Sequence, residues 1–173
     1  MRIFWAKFQK TIAKPPPFFW QIPFPFLANP NNMHARFPFS PLFNYPHLAA
    51  KEAPIWDRFV KANPSFADEA DYDVMCGFVE KLPPNTPQYL KDDWNYLRAW
   101  KIDVVAMKNG IHYIIEVRPH AGLNAIGEVI CKASMYQLEH LELPEVEPML
   151  ITDFERPDIR NLCAARDIGY VVI

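Results

Sequence analysis

Glycine is scarce in this chain: five in 173 residues, and none in the first 50. That excludes a Gly-rich phosphate-binding loop, and no Gly-x-Ser-x-Gly nucleophile turn occurs either. Cysteine is limited to Cys76, Cys131 and Cys163, far apart and odd in number. No C-x-x-C or His/Cys zinc spacing exists, so a reduced, disulfide-free cytoplasmic protein is expected. Net charge is small, −2 with a pI near 6.2, which argues against a basic nucleic-acid coat protein. A nuclease whose contacts are confined to one cleft stays allowed. No apolar run approaches the ~20 residues of a membrane span, so no membrane association is expected. Residues 1–27 are apolar but broken by Lys7, Lys10, Lys14 and Pro15-Pro16-Pro17, which does not read as a signal peptide.

What the chain has instead is two regions of different composition, which suit one domain with an appendage. Nine of the 18 prolines precede residue 50, together with twelve aromatic residues. Proline at this density removes backbone donors and fixes φ. Residues 1–50 should therefore form a stiff, extended arm beyond residue 14. Aromatic side chains favour burial, so such an arm calls for a surface, and other protein chains are the expected partners. Residues 2–14 have the pattern of a short basic amphipathic helix with Ile3, Phe4, Phe8, Thr11 and Ile12 on one side.

From residue 51 to 173 the pattern is regular and predicts an α/β domain. A helix is expected over 52–62, with Ile55, Trp56, Phe59 and Val60 as its apolar stripe. A strand follows over 72–80, then a proline-broken loop over 82–94. Two strands, 100–107 and 111–118, flank Asn109-Gly110, a strong hairpin signal. A helix over 124–140, a strand over 148–152, a helix over 157–167 and a strand over 170–173 complete the order αβββαβαβ. Strands joined through helices imply parallel pairing late in the chain, after an antiparallel hairpin.

The hairpin makes a geometric statement. A two-residue turn at Asn109-Gly110 sets Lys108 against Ile111, and the register then sets Asp103 against Glu116 and Lys101 against Arg118. Alternation places all four on one face. Directly opposed carboxylates lie ~5 Å apart and repel, so they call for a cation. One solution is a divalent metal such as Mg²⁺, held by Asp103 and Glu116 with substrate phosphate. The other is a solvated salt-bridge ladder in which Lys101 and Arg118 neutralise the acids.

Over residues 51–173 the sequence resembles the PD-(D/E)XK nuclease superfamily, the restriction-endonuclease-like proteins. The resemblance rests on Lys101-Ile102-Asp103-Val104-Val105-Ala106, on Tyr113-Ile114-Ile115-Glu116-Val117-Arg118-Pro119, and on Ala125-Ile126-Gly127-Glu128 through Tyr136. It implies a mixed sheet flanked by helices, and a site in which Asp103 and Glu116 bind metal. Arg118 stands where the family has lysine, and Glu128 where its helix often has glutamine. Lys132, one turn after Glu128, is positioned to supply the missing ammonium, or else to form an i,i+4 pair with Glu128 on an exposed face. An acid of the first helix, Glu52 or Asp57, often joins such sites. His112 shares the face of Glu116, and His120 falls at the rim.

Two functions follow as expectations. One is a structural component of a multi-subunit particle, such as a tailed-phage virion protein of the head-completion, neck or connector kind, built on an inactive or weakly active nuclease fold. The other is a Mg²⁺-dependent nuclease acting on DNA. The arm, the acidic balance and Arg118 in the lysine position tip the expectation toward the first. Arginine keeps the charge but forks onto carboxylates, so Arg118 is expected to pair with Asp103 or Glu116 and partly fill the metal's place, leaving weak or no Mg²⁺ binding.

Overall fold

The computed structural model describes residues 36–144 and 146–173. The expected helix over 2–14 and most of the arm's aromatic residues lie outside them. Among the described residues the elements run β1 (Phe37–Pro38), α1 (Ala53–Ala62), β2 (Glu69–Cys76), α2 (Gln88–Arg98), β3 (Trp100–Lys108), β4 (Ile111–Val117), α3 (Leu123–Glu139), β5 (Val146–Thr152), α4 (Pro157–Ala164) and β6 (Gly169–Val172). The six strands form one sheet in the order β1-β2-β3-β4-β5-β6. Neighbours from β1 to β4 are antiparallel, and β4, β5 and β6 run parallel. The expected parallel tail after an antiparallel hairpin is present.

Each element follows from local chemistry. Pro54 opens α1 where a missing N–H costs nothing, and Asn63 closes it by bonding its side-chain amide to Phe59 O at 2.9 Å. Asn109 and Gly110 both adopt positive φ, 52° and 79°, as a turn of the I′ kind requires. Pro157 opens α4 in the same way as Pro54 opens α1.

The strand sides divide the core into layers. Ile55, Trp56, Phe59 and Val60 of α1 pack on Tyr72, Val104, Ala106, Ile115 and Val117. Trp56 is fully buried, and its indole N–H donates to the Tyr72 hydroxyl at 3.2 Å, so the polar end is satisfied. On the opposite side Ala133 and Tyr136 of α3 cover Val105 and Ile114, while Val129 of α3 and Ile159 of α4 cover Leu150. The result is a sheet between two helical layers.

Phe39 and Tyr45 belong to this core, packed among the α1 side chains. Tyr45 also donates its hydroxyl to Asp57 Oδ1 at 3.0 Å. The described end of the proline-rich region thus lies on its own domain.

The expected loop over 82–94 is corrected: Gln88–Arg98 is an α-helix, with Pro87 just before its first turn. Pro83, Pro84 and Pro87 all precede the helix, where they do not interrupt its hydrogen bonds. None of its side chains is buried, so no core-facing stripe marked it in the sequence. The strand expected over 72–80 is also shifted, to Glu69–Cys76.

Candidate active site

The site forms at one end of the sheet, where β3 begins and where β4 and β5 end. The hairpin register holds from Lys108↔Ile111 to Val104↔Ile115, and its next step sets Asp103 against Glu116. There the regular ladder stops. The Val117 N–H donates to Asp103 Oδ2 at 2.9 Å, so a carboxylate takes a position that strand carbonyls fill elsewhere.

A break in β2 accompanies this. Asp73, with φ of 55°, and Asp103 stand at the one gap in the β2–β3 register. Below the gap Tyr72, Val104 and Ala106 face α1, but beyond it Val74, Cys76 and Ile102 pack with Val105 and Ile114 under α3. Irregular strand residues beside a site re-aim side chains in this way. Simple alternation placed Lys101 with the carboxylates. The structure instead holds its ammonium over the Tyr96 ring, 3.2 Å from the centroid.

Four carboxyl groups and two cations meet at this end. Glu116, on β4, is fully buried beneath α3. Lys132 Nζ lies 2.6 Å from Glu116 Oε2, and Arg118 Nη2 lies 2.5 Å from Glu116 Oε1. The Arg118 contact is close but poorly aligned, and Oε1 receives no directed hydrogen bond. Arg118 is the first residue past β4, fixed by its N–H to Ile151 O at 2.9 Å. Its guanidinium also reaches Glu52 Oε1 at 2.6 Å and Glu128 Oε2 at 2.7 Å. Glu52 stands at the start of α1, its second oxygen accepting the Ala49 N–H.

Lys132 is buried on the sheet-facing side of α3. It lies 4.0 Å from Glu128, so the i,i+4 relation exists. Its shorter contact is with Glu116, and an exposed surface pair is therefore ruled out. Of the two acids considered from the first helix, Glu52 joins the site. Asp57 pairs instead with Lys61 at 2.6 Å.

Of the two carboxylates expected to pair with Arg118, Glu116 is in contact with it, through the misaligned approach at Oε1, while the directed hydrogen bonds of the guanidinium go to Glu52 and Glu128. His112 does not approach the site: its Nδ1 lies 2.9 Å from the Tyr136 hydroxyl, near the other end of the hairpin. His120 is at the rim, its backbone N–H donating to Asp153 and its ring against Phe154.

Electrostatics follow from this crowding. Burial, reinforced by the Asp103 charge, pushes the Glu116 carboxyl up to about 8 although Lys132 and Arg118 draw it down. Burial also raises Asp103, partly offset by the Val117 N–H. Burial works against ionised Glu128 as well, but hydrogen bonds with Arg118 and Glu116 leave it below its ordinary value. Burial disfavours the charged Arg118 guanidinium too, yet its carboxylate neighbours outweigh this and raise it. With all groups ionised, the four acids exceed the two cations by two charges, the amount one divalent ion neutralises.

Among the described residues, no group of three or more His, Cys, Asp or Glu side chains stands ready around one point for a metal. A Mg²⁺ site built from two carboxylates and a substrate phosphate does not require one. The donor set, oxygens throughout, suits such an ion, while Arg118 and Lys132 lie against the two Glu116 oxygens. All three cysteines are free thiols, and no helix among the described residues is long and apolar enough to cross a membrane. Comparison with protein-family models, curated proteins and solved structures found no match to this chain.

Proposed function

We propose that this end of the sheet is a metal-dependent phosphodiesterase centre of the PD-(D/E)XK type, held closed at rest by Arg118. The observation that carries the reading is buried Lys132 bonded to Glu116. Burying an ammonium and a carboxylate together costs solvation that contact with apolar neighbours avoids. Strongly shifted charged groups gathered at one point are a mark of chemistry. The element order α1-β2-α2-β3-β4-α3-β5 supports the same reading through its antiparallel strands followed by a parallel one, with the exposed helix α2 inserted between β2 and β3.

Asp103 and Glu116 would hold the divalent ion, with Glu52 and Glu128 behind them. When bound, such an ion polarises a phosphoryl oxygen and makes a water more acidic. Lys132 holds Glu116 in place and lies where it can offset negative charge developing on the phosphate. Arg118 has the fork geometry that recognises phosphate oxygens. A bound phosphodiester competes with Glu116 for it, and its departure frees that carboxylate.

The Arg118–Glu116 contact also favours a second reading, in which the fold is an inactive building block of a phage particle or another multi-subunit assembly. Hydrolysis separates the two. Incubated with Mg²⁺ and labelled DNA, the full chain is expected to cut slowly, and Asp103→Ala to cut at least about a thousandfold less, a ~4 kcal/mol change in barrier. Equal rates for the two proteins would remove the enzymatic reading.

A further inference from the structure

Helix α2 connects the end of β2 to the start of β3, so it stands at the sheet end that carries the acids. Eleven residues long with no buried side chain, it contributes little to the core. The chain around it changes character within the helix. Asp92 and Asp93 lie in its first half, and Asp92 accepts a hydrogen bond from Gln88. From residue 94 to 101 there is no acid, but Trp94, Tyr96 and Trp100 alternate with Arg98 and Lys101.

The cations are paired with the rings. Arg98 lies over Trp94, 5.2 Å from the ring centroid, and Lys101 over Tyr96. Trp100 is 62% exposed and Tyr96 40%. This is a local exception in an acidic domain: all 20 acids of the chain lie after residue 51, and only 14 of its 18 cations lie after residue 35. A surface for an apolar protein partner would not need cations on two of its three rings.

We propose that Trp94–Lys101 is a stacking platform for single-stranded nucleic acid, which threads from it into the carboxylate site. Exposed π-faces take up unpaired bases, and the adjacent cations meet the phosphates. A duplex keeps its bases stacked on one another and offers their faces to no side chain. Trp100 is three strand residues from Asp103, or ~10 Å, so the stacked base is close to the phosphate at the acids. On the other side of the site His120 packs against half-exposed Phe154 at 5.1 Å between ring centroids, a second aromatic rim for the strand leaving it. The substrate class rests on the phosphodiesterase reading, but binding by the platform does not.

The test is fluorescence anisotropy on the full chain in EDTA, where cleavage is absent, with labelled dT₁₂ and a 12-base-pair duplex as probes. The single strand is expected to bind at least tenfold tighter than the duplex. Trp100→Ala and Tyr96→Ala should each weaken dT₁₂ binding by about tenfold. Lys101→Glu, which leaves the rings in place, should weaken it too and reduce its salt dependence. Equal affinity for both probes, or ring variants that bind as wild type, would overturn the platform. So would a concentration-dependent dimer in light scattering that Trp100→Ala abolishes, since the rings then bury a second copy. If dT₁₂ binds in a ring-dependent way but no DNA is cut with Mg²⁺, the platform stands and the enzymatic reading falls. If DNA is cut without ring dependence, the reverse holds.

Discussion

Replacing Lys132 by methionine is expected to destabilise the domain by about 3 kcal/mol, a large part of the ~5–15 kcal/mol that holds such folds together. The volume is nearly kept and the aliphatic stem still packs on the sheet. What is lost is the ammonium at Glu116 Oε2, which leaves a fully buried carboxyl facing only Arg118 through a misaligned contact. Breaking one side of a buried pair costs more than the pair contributes, because the remaining group must stay charged without its partner or take up a proton. The double variant Lys132→Met with Glu116→Gln should therefore recover most of the loss. Urea unfolding followed by circular dichroism measures both. A single variant within about 0.5 kcal/mol of wild type, the scatter of ordinary surface changes, would mean that Glu116 does not depend on Lys132.

Arg118→Lys is expected to raise Mg²⁺-dependent cleavage by about ten- to a hundredfold. A charge-assisted contact is worth roughly 1.5–3 kcal/mol, and each 1.36 kcal/mol is a factor of ten in rate. Lysine is shorter and cannot fork onto Glu52, Glu116 and Glu128 together, so Glu116 is freed for the metal. Initial rates on a labelled DNA strand provide the measurement. A folded Arg118→Lys protein that cuts tenfold more slowly would assign Arg118 to transition-state stabilisation and refute its role as a closure.

Much of this site was legible in the sequence because one short signal fixed it. Asn109-Gly110 determines the hairpin register, and the register brings Asp103 to Glu116 before any tertiary contact is considered. Pairing of Arg118 with a carboxylate followed from the guanidinium's shape. Other features depended on information that local sequence does not carry. Lys132 and Glu128 have the spacing of a solvated pair, and only the packing of α3 on β4 turns Lys132 inward. Glu52 and Asp57 are equivalent as letters; the approach of the α1 start to the sheet end chooses Glu52. Lys101 was misplaced because alternation presumes an unbroken pleat, and Asp73 breaks it. Helix α2 was missed because it is anchored by polar contacts, such as Lys91 to Pro84 O and Trp94 to Glu80 O, rather than by an apolar stripe.

On the proposed reading, Asp103 and Glu116 together hold a divalent ion when Arg118 is out of the way. Anomalous diffraction from crystals of the Arg118→Lys variant grown with Mn²⁺, a spectroscopically convenient substitute for Mg²⁺ with the same preference for oxygen ligands, tests it directly. One strong peak in contact with both carboxylates is expected, lost when Asp103→Ala is added. No peak there, with Lys132 and Glu116 still paired and both acids ordered, would contradict it and leave the cluster as a salt-bridge network.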